Sequence, residues 1–103
     1  MKPPFFSIVL CTKNGSQYLK EQINSIVDQD FSDWELIIID DLSKDITFQI
    51  ATEFSKNDNR INCYQNRENI GVKNNFLINL AKAKGTWTVL CDQDDIWIPN
   101  KLN

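Results

Sequence analysis

The chain has no histidine. Within these 103 residues that excludes a Ser-His or Cys-His nucleophile system and a histidine-ligated zinc site. Cysteine is sparse as well: Cys11, Cys63 and Cys91 are an odd number and form no C-x-x-C. They read as small buried hydrophobes in a reducing compartment rather than as disulfides or metal ligands. There is no dense run of Lys or Arg, and the net charge is -3, so no nucleic acid partner is expected through a basic surface. No apolar stretch approaches the roughly 18 residues that a transmembrane helix needs. The apolar part of Met1 to Phe6 is too short for a signal peptide, so the expected location is the cytoplasm. At 103 residues, 42% hydrophobic and 24% charged, the chain fits one ordinary globular domain at most.

What is present is a regular alternation. Phe5 to Cys11 is an apolar run rich in β-branched residues, held extended at its start by Pro3 and Pro4, and predicts a buried strand. Thr12 to Gly15 is a turn. Ser16 is a reasonable N-cap for a helix to about Asp28, with Leu19, Ile23, Ile26 and Val27 on one stripe. Glu35 to Ile39 predicts a second strand, continuous as strands covered on both faces are, and ends in Asp40-Asp41. Ser43 offers the next N-cap, with Asp45 in the first turn and Ile46, Ile50 and Phe54 as the stripe. Arg60 to Gln65 is a weaker third strand. A helix is predicted from Val72 to Lys84, apolar at Val72, Phe76, Leu77, Leu80 and Ala83, with Gly85 as its C-terminal stop. A fourth buried strand, Trp87 to Cys91, runs into Asp92-Gln93-Asp94-Asp95. Strand-helix alternation implies parallel strands with right-handed crossovers, an open α/β sheet of about four strands. The chain stops just past the acid cluster, so residues 1–103 are expected to be a truncated part of a longer protein.

In a parallel sheet all strand C-termini lie on one edge, where ligands bind. The four ends carry Thr12, Lys13 and Asn14; Asp40 and Asp41; Asn66, Arg67 and Asn69 with Gly71; and Asp92, Asp94 and Asp95. Singly, most have a plain reading. Asn14-Gly15 fits a turn, Asp40-Asp41 fits loop acids before a helix, and Trp97 fits a core anchor. The last cluster is different, because three carboxylates within four residues at the end of a buried strand repel one another unless a cation sits among them. Mg²⁺ or Mn²⁺ on such carboxylates commonly bridges to substrate phosphate and can stabilise a departing diphosphate. A nucleoside over strands one and two, with its diphosphate at strand four, accounts for both acid groups.

These residues together resemble the N-terminal, donor-binding half of family 2 glycosyltransferases. The resemblance rests on Ser7 to Gly15, Leu19, Gln22, Ser25 to Gln29, Trp34 to Asp45, Asn69-Ile70-Gly71, Asn75, Gly85 and Asp92 to Leu102. It implies the GT-A fold, a Rossmann-like three-layer α/β/α arrangement with a mostly parallel sheet. It implies that Cys11, Thr12, Lys13 and Asn14 contact base and ribose, and that Asp41, with Asp40 beside it, binds the nucleoside. Asn69, Asn75 and Asp94 join the donor-binding set, and Asp92, Asp94 and Asp95 hold the metal. The implied partners are a nucleoside-diphosphate-sugar donor and a glycan acceptor, in inverting transfer for bacterial surface polysaccharide synthesis. The catalytic base is expected downstream of Asn103. Two residues depart from the family's habit: Lys13 stands where an aromatic is frequent, and Leu42 where a small residue, often Gly, precedes the Ser.

Three other readings compete with this one. A signalling receiver domain needs its acid pair after the first strand, where this chain has Thr12 and Lys13. A dinucleotide-binding oxidoreductase needs G-x-G-x-x-G in the first loop. A non-catalytic nucleotide-binding or interaction module of the same fold remains the alternative.

Overall fold

A computed structural model describes residues 3–91 and 101–102. The elements follow in order: β1 (Phe6–Thr12), α1 (Ser16–Val27), β2 (Trp34–Asp40), α2 (Thr47–Asn57), β3 (Ile61–Gln65), α3 (Val72–Asn79) and β4 (Trp87–Cys91), with a 3-10 turn at Leu80–Lys82 after α3. The four strands form one sheet in the order β3-β2-β1-β4, and every pairing is parallel. The chain steps outward from β1 to β3, then returns to place β4 on β1's other side. The strand order therefore reverses at β1, the place where open α/β sheets bind ligands.

Alternate side chains of β1 and β2 enter different layers. Ile8, Leu10, Leu36 and Ile38 pack with Leu19, Ile23 and Ile26 of α1 and Ala51 of α2. Val9, Cys11, Ile37 and Ile39 form a second cluster against Phe76 and Ala83. Helices thus cover both faces, which gives the expected three layers and explains why β1 and β2 read as unbroken apolar runs. Among the described residues no helix is long and apolar enough to cross a membrane.

Several local expectations are corrected. Gly15 rather than Ser16 takes the cap position of α1, and α2 starts at Thr47 with Ile46 at its cap position. Ser43 does not cap α2 because its N–H and hydroxyl both donate to the buried Asp40 carboxylate, a stronger acceptor. Ile46 is consequently 60% exposed instead of lying on the buried stripe. The third helix ends at Asn79 and turns its polar side inward, burying Asn75 and Asn79 while Leu77 and Leu80 face out. Apolar periodicity misleads there because the inward amides satisfy backbone and side-chain partners at the sheet edge. Gly85 does not stop a helix; it lies directly against β1, and its N–H donates to Ser7 Oγ at 2.6 Å. β4 is not a buried strand in the described sheet: Trp87 is 61% and Leu90 54% exposed. It is the outer strand beside β1, and α3 packs over β1 and β2 without covering it.

Candidate functional site

The strand ends are level at one edge because the register carries Thr12 opposite Asp40 and Asp40 opposite Gln65. Asp41 N–H continues the ladder to the Thr12 carbonyl at 2.8 Å, and Asn66 N–H to the Asp40 carbonyl at 2.8 Å. Two carboxylates then follow each other out of β2 into different surroundings.

Asp40 is fully buried. Its Oδ1 accepts from Thr12 Oγ1 at 2.9 Å and Ser43 Oγ at 2.5 Å, and its Oδ2 from Ser43 N at 2.9 Å and Gln65 Nε2 at 3.1 Å. A carboxylate offers about four lone-pair sites, so Asp40 is saturated. It ties the ends of β1, β2 and β3 together from beneath.

Asp41 is 3% exposed. Its Oδ1 accepts from Ile70 N at 2.8 Å and Asn66 Nδ2 at 3.1 Å, and its Oδ2 from Gly71 N at 3.0 Å. Gly71 makes this possible, because its φ of 85° lies in the left-handed half of the map that glycine enters without a side-chain clash. Asn69 Nδ2 donates to the Asp41 carbonyl. Burial pushes the Asp41 carboxyl up, but the hydrogen bonds from Ile70, Asn66 and Gly71, with the charge of Lys13, outweigh it and hold Asp41 below the usual carboxylate range. By the same count, Oδ2 keeps about one acceptor position among the described residues.

Asn75 is the post behind this loop. Its Nδ2 donates to the Ile39 carbonyl at 3.3 Å, and its Oδ1 accepts from Asn66 Nδ2 at 2.8 Å and Asn79 Nδ2 at 3.0 Å. Cys11, buried just below the edge, has its thiol pushed up to about 12 by burial and then by the Asp41 charge, so it stays protonated and inert. Lys13, Asn14 and Asn69 form the exposed rim. The edge therefore gathers Cys11, Thr12, Lys13, Asn14, Asp40, Asp41, Asn69 and Asn75. Asp92, Asp94 and Asp95 lie outside the described residues. β4 runs toward the same edge and ends at Cys91, level with Leu10. Among the described residues no group of three acids or cysteines is placed to hold a metal. Gln65, Asn66 and Ser43 act here without having been singled out as site residues; their signal was only that polar residues follow each strand end.

Leu42 resolves one of the sequence departures. Its φ is 53°, left-handed for a residue with a Cβ, which costs roughly 1–2 kcal/mol. Replacing Leu42 by Gly is expected to stabilise the fold by about 0.5–1 kcal/mol, since glycine's greater freedom when unfolded offsets part of the relief. Urea denaturation of Leu42→Gly measures it, and a loss of stability would show that the exposed leucine side chain contributes more than the backbone strain costs.

Residues 7–103 match the family described as Glycosyl transferase family 2. The chain belongs to that family. Over 97 residues it is 37% identical to a Haemophilus influenzae protein described as an uncharacterized glycosyltransferase, covering 94% of this chain and 30% of that one. It is 35% identical over 96 residues to Escherichia coli WfgD, a UDP-Glc:alpha-D-GlcNAc-diphosphoundecaprenol beta-1,3-glucosyltransferase, covering 93% of this chain and 37% of WfgD. The crystal structure of S. aureus TarS 1-349 superposes with a TM-score of 0.80 at 34% identity, over 94% of this chain and 29% of that one. TarS has also been solved with UDP and with UDP-GlcNAc. This family 2 chain thus spans about a third of the length of these relatives, and its fold is shared with TarS 1-349.

Proposed function

We propose that this chain is the donor-binding part of a longer glycosyltransferase that moves a sugar from a nucleoside diphosphate to a glycan acceptor in bacterial surface polysaccharide synthesis. The observation that carries the reading is the difference between the two neighbouring acids. Asp40 has no acceptor position left, whereas Asp41 is an ionised, buried carboxylate with one remaining on Oδ2 among the described residues. A fixed carboxylate of that kind suits an N–H or O–H of a nucleoside, with Lys13, Asn14 and Asn69 around it. The related TarS 1-349 has been solved in complex with UDP, which supports a nucleotide as the ligand. Asp40 and Asn75 serve by holding the edge from below.

Asp92, Asp94 and Asp95 come directly after β4 in the sequence, and would hold Mg²⁺ or Mn²⁺ against the diphosphate. Such an ion supplies Lewis-acid stabilisation of the charge on the departing diphosphate. Cys11 stays protonated and Asp40 is fully bonded, so neither is suited to activate an acceptor hydroxyl. The base, and with it inverting transfer, belongs to polypeptide beyond Asn103, so residues 1–103 should bind donor but turn over little or none.

The test is calorimetric titration of the chain with UDP and dTDP, with and without Mn²⁺. Binding that weakens at least about tenfold on chelation, a change of ~1.4 kcal/mol, is the expected result. Binding abolished by Asp94→Asn but not by Lys101→Ala would place the ion at the acid cluster. No metal-dependent binding of either nucleotide would sink the donor-site reading and leave the alternative of a non-catalytic module of this fold.

A further inference from the structure

The two loops that form the rim are not held by their own helices. Neither α1 nor α2 has a capping hydrogen bond from its own cap-position side chain. The orphan donors at both helix starts go to residues of the loop after β2. Gly15 N donates to Thr47 Oγ1 at 2.9 Å, and Ser16 donates to Asp45 Oδ2 through its N–H at 3.3 Å and its hydroxyl at 2.9 Å. Asp45 Oδ1 meanwhile accepts from Thr47 N at 3.0 Å and from the Thr47 hydroxyl. One carboxylate therefore caps two helices at once, at the positive end of both dipoles. Just beyond it the loops exchange a second pair of bonds: Asn14 N donates to Ser43 Oγ, and Lys44 N to Asn14 Oδ1, each at 2.8 Å. Ser43 Oγ passes the connection on to Asp40. Asn14 itself has a φ of 51°, left-handed and so dependent on its partners to stay there.

Thr47 and Asp45 hold the chain at Gly15 and Ser16, and Ser43 and Lys44 hold it at Asn14, so the segment carrying Lys13 and Asn14 is fastened to residues that follow β2. We infer that Asp45, acting through Thr47 and Ser16, is a positioning residue for donor binding that holds the Lys13-Asn14 loop against the loop after β2 before the nucleotide arrives. The inference rests on the donor-site reading above. Its physical content is preorganisation: a loop already ordered has less conformational freedom to lose when ligand binds. Burial raises the Asp45 carboxyl, but hydrogen bonds from Thr47 and Ser16 bring it down to about 2, so it remains ionised through the working pH range.

The experiment compares Asp45→Ala, Asp45→Asn and Thr47→Val with wild type. Asp58→Ala serves as a control that removes a helix-end carboxylate, the partner of Arg60 at 2.8 Å, on the far edge. Two readouts are taken below every variant's Tm: amide hydrogen exchange by NMR without ligand, and the Kd for UDP with Mn²⁺. The expected result is faster exchange at Asn14, Gly15 and Lys44 with Leu10 and Ile38 still protected. UDP should bind about tenfold more weakly, while Asp58→Ala changes neither. Thr47→Val, which keeps the shape and removes the acceptor for Gly15 N, keeps the test open should Asp45→Ala not fold. Unchanged exchange at those three amides, or exchange raised equally at Leu10 and Ile38, overturns the inference. So does an unchanged Kd in a variant whose loop has loosened. If wild type binds no UDP, the donor reading fails by itself, and the exchange data still decide whether Asp45 holds the loop.

Discussion

Asp40→Ala is expected to lose about 3–5 kcal/mol of folding stability, the loss seen when one partner of a buried charged network is removed. The alanine leaves the Thr12 and Ser43 hydroxyls, the Ser43 N–H and the Gln65 amide without their acceptor, at a position with no exposure to water. A domain of this size has ~5–15 kcal/mol in all, so the variant should sit near the edge of folding. With a urea m-value of ~1–3 kcal/mol/M, the midpoint should fall by about 2 M. Asp40→Asn should lose only about 1–2 kcal/mol. Its carbonyl can serve the Ser43 N–H, and its NH₂ can face the two hydroxyls, which can rotate to accept. A loss below about 1 kcal/mol for alanine would mean that the strand ends are held by the sheet ladder alone and that Asp40 is dispensable to the edge.

Gly85→Ala is the second large effect, and it acts at the opposite end of the sheet. A Cβ on Gly85 would lie 2.6 Å from Ser7 N, 2.7 Å from Ser7 Oγ and 2.8 Å from the Phe6 carbonyl carbon. Two of those are backbone atoms of β1, which is fixed between β2 and β4 and cannot retreat. Overpacking of this kind costs about 3 kcal/mol. Removing the Ser7 hydroxyl as well should not rescue the variant, because the backbone nitrogen stays where it is. Gly71→Ala makes the useful contrast. Nothing lies within 4 Å of a Cβ there, but φ is 85°, so its cost is conformational, about 1–2 kcal/mol. Thermal or urea unfolding of the three variants separates the cases; Gly85→Ala rescued by Ser7→Ala would show that the hydroxyl, not the strand, makes the contact.

The elements most visible in the sequence were those whose surroundings are uniform. β1 and β2 are buried on both faces, so FSIVLCT and WELIIID announce themselves as apolar runs whatever packs on them. Their ends are visible because polarity begins abruptly at Thr12 and Asp40. α3 is shorter than its periodicity predicts and only part of its apolar stripe faces in, Phe76 packing on the core while Leu77 faces out, for the opposite reason. It buries Asn75 and Asn79, and a pattern of apolar residues cannot reveal a helix whose inner side is chosen for hydrogen bonding. Ser16 and Ser43 have the composition of helix caps, yet both are drawn to carboxylates, Asp45 for one and Asp40 for the other. Local capping competes with tertiary acceptors, and a buried or shared charge wins.

Taken by itself, the order of residues determined the strand-helix alternation, the parallel sheet, the edge where polar residues collect and the family to which the chain belongs. The first three follow from periodicity and spacing, which are properties of neighbours along the chain; the family follows from the resemblance of its motifs. Only the tertiary structure decided which of the two adjacent acids retains an acceptor position, why Leu42 and Gly85 are singular, and that Asp45 joins two helix starts. The two acids, Gly85 and Asp45 depend on donors or backbone atoms brought in from 25 to 78 residues away. Such partners are set by the register of the sheet and the packing of the helices on it, and no local pattern encodes them.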